Sequence, residues 1–237
     1  MSKILVLDEY KTIGKIEEGY SLARYGDGEF FCILKSSKGI SKLQKFDEKL
    51  KEKLYTIFSK PLEKLLIGIP RMDKPKQWII NFNNKFPKFI SNKRARKEST
   101  FVSAFVSRPS LVGIDTQEYF DKVKSIWKNR EIVLINFNPV LLDHYLFEGC
   151  VVDFVRISRR DCFDDYSNIL NRCKRFYGQK RIFLASAGPT ATCLAYDLTF
   201  DGEQCLDIGQ MAFEHSLFKC EGRLESWTSQ NTYKKRK

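Results

Sequence analysis

Apolar residues along this chain switch between helical and strand spacing, and the switch repeats. Ser41 can cap a helix whose apolar positions Leu43, Phe46, Leu50, Leu54 and Ile57 recur at three and four, with Pro61 soon after. The compact apolar run 65–69 stops at Pro70 and reads as a core strand. Thr116 opens a second amphipathic helix through Tyr119, Phe120, Val123, Ile126 and Trp127, which leads into a strand at 132–135. Residues 151–157 are rich in β-branched types. The helix after them buries Phe163, Tyr166, Ile169, Leu170, Cys173 and Phe176. Its charges complement the helix dipole: Asp161, Asp164 and Asp165 stand in the first turn, Arg172, Lys174 and Arg175 in the last, and Gly178 at C′. Residues 181–185 return as a strand. Short strands joined by helices of three to four turns predict an α/β fold, a mostly parallel sheet with helices on both faces.

A length of 237 residues, 43% apolar and 14% aromatic with nineteen phenylalanines, is enough for one well-packed core. We therefore expect a single domain over 1–227 and a basic, flexible tail at 228–237. No stretch of eighteen apolar residues occurs, and the first nine residues turn acidic too quickly for a signal peptide, so a cytoplasmic protein is expected. The seven cysteines are irregularly spaced and never form a Cys-x-x-Cys pair, which fits buried free thiols in a reducing compartment. With only His144 and His215 available, any metal should be hard and oxygen-bound, Mg²⁺ or Mn²⁺. His144 reads as a partly buried polar residue.

The formal charge of +12 favours anionic partners: nucleic acid, an acidic membrane surface or phosphorylated substrates. It concentrates at Lys85, Lys88, Lys93, Arg94, Arg96 and Lys97 and in the tail 234–237, which could rest on anionic lipid at the inner face of the membrane. The alternating charges from Lys42 to Lys53 read as a solvated helix face.

Two segments carry candidate chemistry. In the run 21–30, Asp27 and Glu29 are bracketed and separated by Gly26 and Gly28. If that backbone is extended, both carboxylates project to one side with open space around them, as a divalent cation and its phosphates require. A tight turn decorated with acids would show the same residues. Later, strand 181–185 runs into Gly188, Pro189 and Thr190 at a helix start, whose free N–H groups can receive a phosphate or a sugar hydroxyl. Neither a Gly-x-Gly-x-x-Gly motif nor a lysine-bearing phosphate loop is present there.

These segments resemble the GT-D fold glycosyltransferases. The likeness rests on Arg24-Tyr25-Gly26-Asp27-Gly28-Glu29-Phe30 and on a late block from Ala187 through Asp197 to Leu206-Asp207-Ile208-Gly209, in the expected order over roughly residues 10–218. It implies a Rossmann-like core, an Asp-x-Glu pair holding Mn²⁺ or Mg²⁺, and a nucleotide diphosphate donor such as UDP-glucose. Sugar-polymer and glycoprotein biosynthesis are the family's settings, so a glycan or lipid-linked glycan is the expected acceptor. Carried onto this chain, the metal pair is Asp27 and Glu29, and the late block places its Asp and Gly at Asp207 and Gly209; Arg24, Tyr25, Gly26, Gly28, Gly188, Pro189 and Thr190 are this chain's own candidates around the donor. The chain departs from the family pattern at 210–215, where only Glu214 of the polar set remains, and at Asn136-Phe137-Asn138-Pro139.

Sugar departure builds negative charge on the β-phosphate while the acceptor hydroxyl loses a proton. In an inverting transfer one carboxylate suffices as base. Glu214 and Asp207 are the candidates, Glu214 the favourite because Asp207 can instead hold the turn at Gly209. Arg24 could pair with the acids or a donor phosphate, Tyr25 could stack on a base or face the core, and His215 could touch either substrate. A metal-dependent phosphodiesterase or nuclease, and a basic nucleic-acid module, are the alternatives. Neither accounts for both motif blocks.

Overall fold

The structure is a computed structural model that describes residues 5–34, 43–60, 62–71 and 101–221. The chain runs β1 (Val6–Leu7), α1 (Glu9–Glu17), β2 (Ser21–Arg24), α2 (Asp27–Ile33), α3 (Glu48–Ser59), β3 (Leu65–Ile69), β4 (Phe101–Ser103), α4 (Gln117–Ser125), β5 (Glu131–Asn136), β6 (Val151–Arg156), α5 (Tyr166–Cys173), β7 (Ile182–Ala185), α6 (Pro189–Phe200), β8 (Gln204–Asp207) and α7 (Met211–Glu221), with short 3-10 turns between. Among the described residues eight strands lie in one sheet, in the order β1-β4-β3-β2-β8-β7-β5-β6. Every pairing is parallel, as expected for an α/β fold.

Strand periodicity divides the core into two layers. Ala23, Val133, Ile135, Phe183, Ala185 and Cys205 face a cluster filled by α2, α3, α5 and α6. Their sequence neighbours Leu22, Ile132, Leu134, Ile182, Leu184 and Leu206 face the other, filled by α1, α4 and α7. Both sides of the central strands are covered, so their interior positions are apolar, and the polar side chains of β2 and β8 stand at the strand ends.

Caps set several boundaries. Thr116 accepts from the Tyr119 amide at 3.2 Å and opens α4, as its sequence position predicts. At α3 the expected start is corrected: Asp47 accepts from the Leu50 amide at 2.8 Å, so the helix begins later, and Leu43 and Phe46 lie ahead of it, partly exposed. Ser41 lies outside the described residues. The solvated reading of that helix face is corrected at Lys53, whose Nζ reaches both Asp197 carboxylate oxygens, at 2.7 and 2.9 Å, and ties α3 to α6. The helix at 163–176 is shorter than its apolar stripe, since 3-10 turns Cys162–Asp165 and Lys174–Phe176 flank α5. The two-residue β1, α1 and the three-residue β4 were not expected from periodicity.

Cys32, Cys162, Cys173, Cys193 and Cys205 are free and buried, and Cys150 is free and partly exposed. Among the described residues no helix is long and apolar enough to cross a membrane. The basic run 85–97 and the tail 228–237 lie outside them.

Topology marks one crevice. The connection from β5 leads outward to β6 through turns packed on the α1/α4/α7 layer, whereas β7 leads inward to β8 through α6 on the opposite layer. The loops after β5 and β7 therefore diverge, and the gap between them at the carboxyl edge is the topological switch point where such sheets bind ligands.

Candidate active site

Arg24 ends β2, and its side chain turns inward across the carboxyl edge. Nε donates to the Asp207 carbonyl at 2.7 Å, Nη2 to Asp207 Oδ1 at 2.8 Å, and Nη1 to the Ala104 carbonyl at 3.3 Å and to the Ser107 hydroxyl. Every donor-bearing nitrogen of the guanidinium is thus engaged. Asp207 Oδ1 also accepts from the Gly209 amide at 3.1 Å, and Oδ2 lies 3.4 Å from the Thr192 hydroxyl, whose shorter bond, 2.7 Å, goes to the Arg24 carbonyl. Gly209 is required there. Its φ is +46°, and a Cβ would stand 1.9 Å from Arg24 Nη2.

This geometry decides between the alternatives that the sequence left open for two residues. Arg24 is an internal clamp and does not present itself to a donor phosphate. Tyr25 is fully buried in the core, its hydroxyl donating to the Leu54 carbonyl at 2.8 Å and its ring packed against Phe30 and Phe58, so it is not placed to stack on a base.

The acid pair is corrected in conformation. β2 stops at Arg24, Gly26 caps α2, and Asp27 is the first helical residue. Two positions apart on a helix are separated by about 200° around the axis, so the pair does not share a face as it would in a strand. Glu29 turns inward, 8% exposed, and its Oε2 accepts from the Gly26 amide at 2.7 Å. Gly26 leaves little room for more, since a Cβ would sit 3.3 Å from that oxygen. Asp27 stays exposed at the rim, bonded to the Gly28 amide at 3.0 Å. Burial pushes the Glu29 carboxyl up to about 7, and the Asp207 charge adds to it. Burial also raises Asp207, with Arg24 opposing.

In donor chemistry the acids fit a hard cation. Both offer carboxylate oxygens, but only Asp27 is exposed at the helix start, while Glu29 is turned inward with Oε2 on the Gly26 amide. Among the described residues no three His, Cys, Asp or Glu side chains form a group able to hold a metal. A cation at Asp27 and Glu29 would therefore need oxygens from its substrate.

Beyond β7, Gly188 is exposed with φ +57° and nothing near its Cβ position, while Pro189 begins α6. That helix start faces the crevice as an open platform. Thr190 is corrected inward: it is fully buried and belongs to the helix packing.

The two base candidates also separate. Glu214, in the first turn of α7, is 2% exposed. Its Oε1 lies 3.5 Å from Arg108 Nε, and among the described residues its Oε2 has no hydrogen-bond partner. Arg108 was missed in the sequence, where nothing but its position before Pro109 distinguishes it. It adjoins Ser107, which receives Arg24, so a continuous line of polar groups runs from Asp207 to Glu214. His215 points away from this line. It is wholly buried against the rings of Phe120 and His144, at 4.9 and 5.5 Å. Burial, with the Lys124 charge, lowers it to about 4, so the ring is neutral. His144 is a structural partner, accepting from the Leu146 amide at Nδ1 and lying 2.6 Å from the Ser216 hydroxyl at Nε2.

Residues 22–232 match the family described as the glycosyltransferase GT-D fold. The chain is 26% identical over 220 residues to the probable glycosyl transferase Gly of Streptococcus gordonii, covering 86% of this chain and 31% of that protein. It is 27% identical over 217 residues to glycosyltransferase GlyD of Streptococcus pneumoniae serotype 4, covering 86% of this chain and 26% of that one. It thus spans less than a third of these relatives' length. Among solved structures, one described as the highly conserved domain of unknown function 1792 with a distinct glycosyltransferase fold aligns with a TM-score of 0.78 and 25% identity, over 92% of this chain and 82% of that one. A glycosyltransferase with the same domain from Streptococcus sanguinis aligns at 0.75 and 26%, over 92% and 85%. With an all-parallel sheet, an acid pair after β2 and a family match over nearly its whole length, this chain belongs to the GT-D fold glycosyltransferases.

Proposed function

We propose that this chain transfers a sugar from a nucleotide diphosphate donor, UDP-glucose or a near relative, to a hydroxyl of a glycan or lipid-linked glycan, with inversion at the anomeric carbon. The observation that carries the reading is the acid-bearing start of α2 set along the same carboxyl edge as the open start of α6, in a chain of this family. Asp27 and Glu29 would hold Mn²⁺ or Mg²⁺. When bound, such a cation supplies positive charge to the departing diphosphate.

The remaining roles belong to the chain. The amide of exposed Gly188, at the start of α6, binds the anionic part of the donor. The acceptor oxygen forms its bond to the anomeric carbon as the bond to the β-phosphate oxygen breaks, and that oxygen keeps the electron pair. Glu214 takes the acceptor proton. Among the described residues its Oε2 has no partner, whereas Asp207 is held by Arg24 and the Gly209 amide. A buried acceptor left unpaired is costly, and such costs are tolerated where function uses them. Asp207 holds Arg24 and the Gly209 turn, and so shapes the site.

The test is a transfer assay beside thermal shift. UDP and UDP-glucose should raise the melting temperature only with Mn²⁺ or Mg²⁺ present, as binding to the native state requires. Asp27→Asn and Glu29→Gln should each remove most transfer while the fold persists. Equal shifts in EDTA would remove the cation, and near-parental turnover in either variant would demote that residue.

A further inference from the structure

A second feature of the carboxyl edge is absent from the acid-centred site. β5 ends in Asn136 and is followed by Phe137; its neighbour β6 ends in Arg156 and continues through Ser158 into Arg159. Phe137, Arg156, Ser158 and Arg159, with Asp165 and Arg172, line a cavity of about 480 Å³. The cavity opens beside the switch point between β5 and β7.

Its charge is uncompensated. Arg172 is engaged, pairing with Asp165 at 2.9 Å and donating to the Arg156 carbonyl at 2.6 Å. Among the described residues Arg156 and Arg159 have no carboxylate partner, and Arg159 lies over the Phe137 ring at 5.6 Å. Two exposed guanidiniums and a serine around an aromatic face form an anion receptor with a flat apolar floor. Strands are about 4.8 Å apart, and three to four steps separate β2 from β5 and β6, so the pocket lies roughly 14–19 Å along the edge from the acids.

The geometry points to a phosphate-binding subsite: Arg156 and Arg159, over Phe137, take a phosphate or diphosphate group of a transfer substrate. The assignment rests on the transferase reading for the substrate's identity; the anion chemistry stands on the pocket. The donor's single diphosphate is committed to the acid site, so the group taken here belongs to a phosphorylated acceptor.

Inorganic pyrophosphate is the probe, titrated calorimetrically into the intact chain in EDTA, where cation binding at Asp27 and Glu29 cannot contribute. Arg156→Ala/Arg159→Ala should weaken pyrophosphate at least about tenfold, two charge-assisted contacts being lost. Both residues are exposed, so the fold is spared. Lys49→Ala/Lys128→Ala removes the same charge elsewhere and should leave the affinity unchanged. Pyrophosphate bound together with UDP supports an acceptor subsite, whereas pyrophosphate displaced by UDP overturns it. No pyrophosphate binding by the parent, parental affinity in the arginine variant, or equal weakening in the lysine control overturns the subsite. None of these readings uses sugar transfer, so failure of the proposed reaction is seen separately, in the turnover of Asp27→Asn.

Discussion

Gly209 decides whether Arg24 can reach Asp207. Any β-carbon there meets the guanidinium and also forces a left-handed backbone on an L side chain. Gly209→Ala should therefore lose roughly 1–3 kcal/mol in urea unfolding. Parental stability would mean that the clamp is looser than its hydrogen bonds indicate. Glu29 makes an opposite kind of statement. Its folded pKa, about 7, lies above its ordinary value of 4.5, so between these the native state binds more protons and stability falls as pH rises. Glu29→Gln keeps an oxygen for the Gly26 amide and carries no charge. In metal-free buffer it should melt above the parent at pH 8 and match it at pH 4. Melting scans at the two pH values check this, and a parent favoured at pH 8 would contradict it.

At the scale of elements, α7 does two jobs with adjacent residues. Glu214 meets Arg108, and His215 packs into the layer formed with α4. Held neutral by burial, His215 ionises more readily in the unfolded chain, which takes up a proton between pH 6.5 and about 4 while the native state does not. Stability is lost as pH falls through that window. Lys124, Lys219 and His144 face the ring with like charge when ionised, and Asp121 only partly opposes them. His215→Leu should flatten the acid side of the Tm-against-pH profile, leaving the smaller contribution of His144, itself lowered by burial. An unchanged profile would place the acid sensitivity elsewhere.

At the scale of the whole molecule, the Arg24–Asp207 pair joins β2 to β8 across 183 positions of sequence and fastens both to the turn after β4. Removing one partner of such a buried pair strands the other charge, typically at about 3–5 kcal/mol. Asp207→Asn should lower stability and weaken nucleotide binding and turnover together. Glu214→Gln should keep metal-dependent nucleotide binding and lose turnover, because a base acts chiefly in the transition state. Unfolding curves, UDP titration and transfer rates on the two variants separate the roles. A Glu214→Gln enzyme at the parental rate would return the base to another acid.

Local physics was legible in the chain. Apolar periodicity located β3, β5, β6, β7 and the stripes of α3 to α6, and Thr116 and Pro189 marked helix starts, because caps and faces depend on residues three or four apart. The motif 24–30 and the block 187–209 pointed to the family in the same way. Tertiary structure alone decided that Asp27 and Glu29 open a helix, that Tyr25 belongs to the core, and that Arg24 spends its donors on Asp207, Ala104 and Ser107. It also produced the raised Glu29 pKa, the Arg108–Glu214 contact and the arginine pocket. The reason is range: burial and ion pairing depend on which strands become neighbours, and a parallel sheet sets that through crossovers that no local window contains.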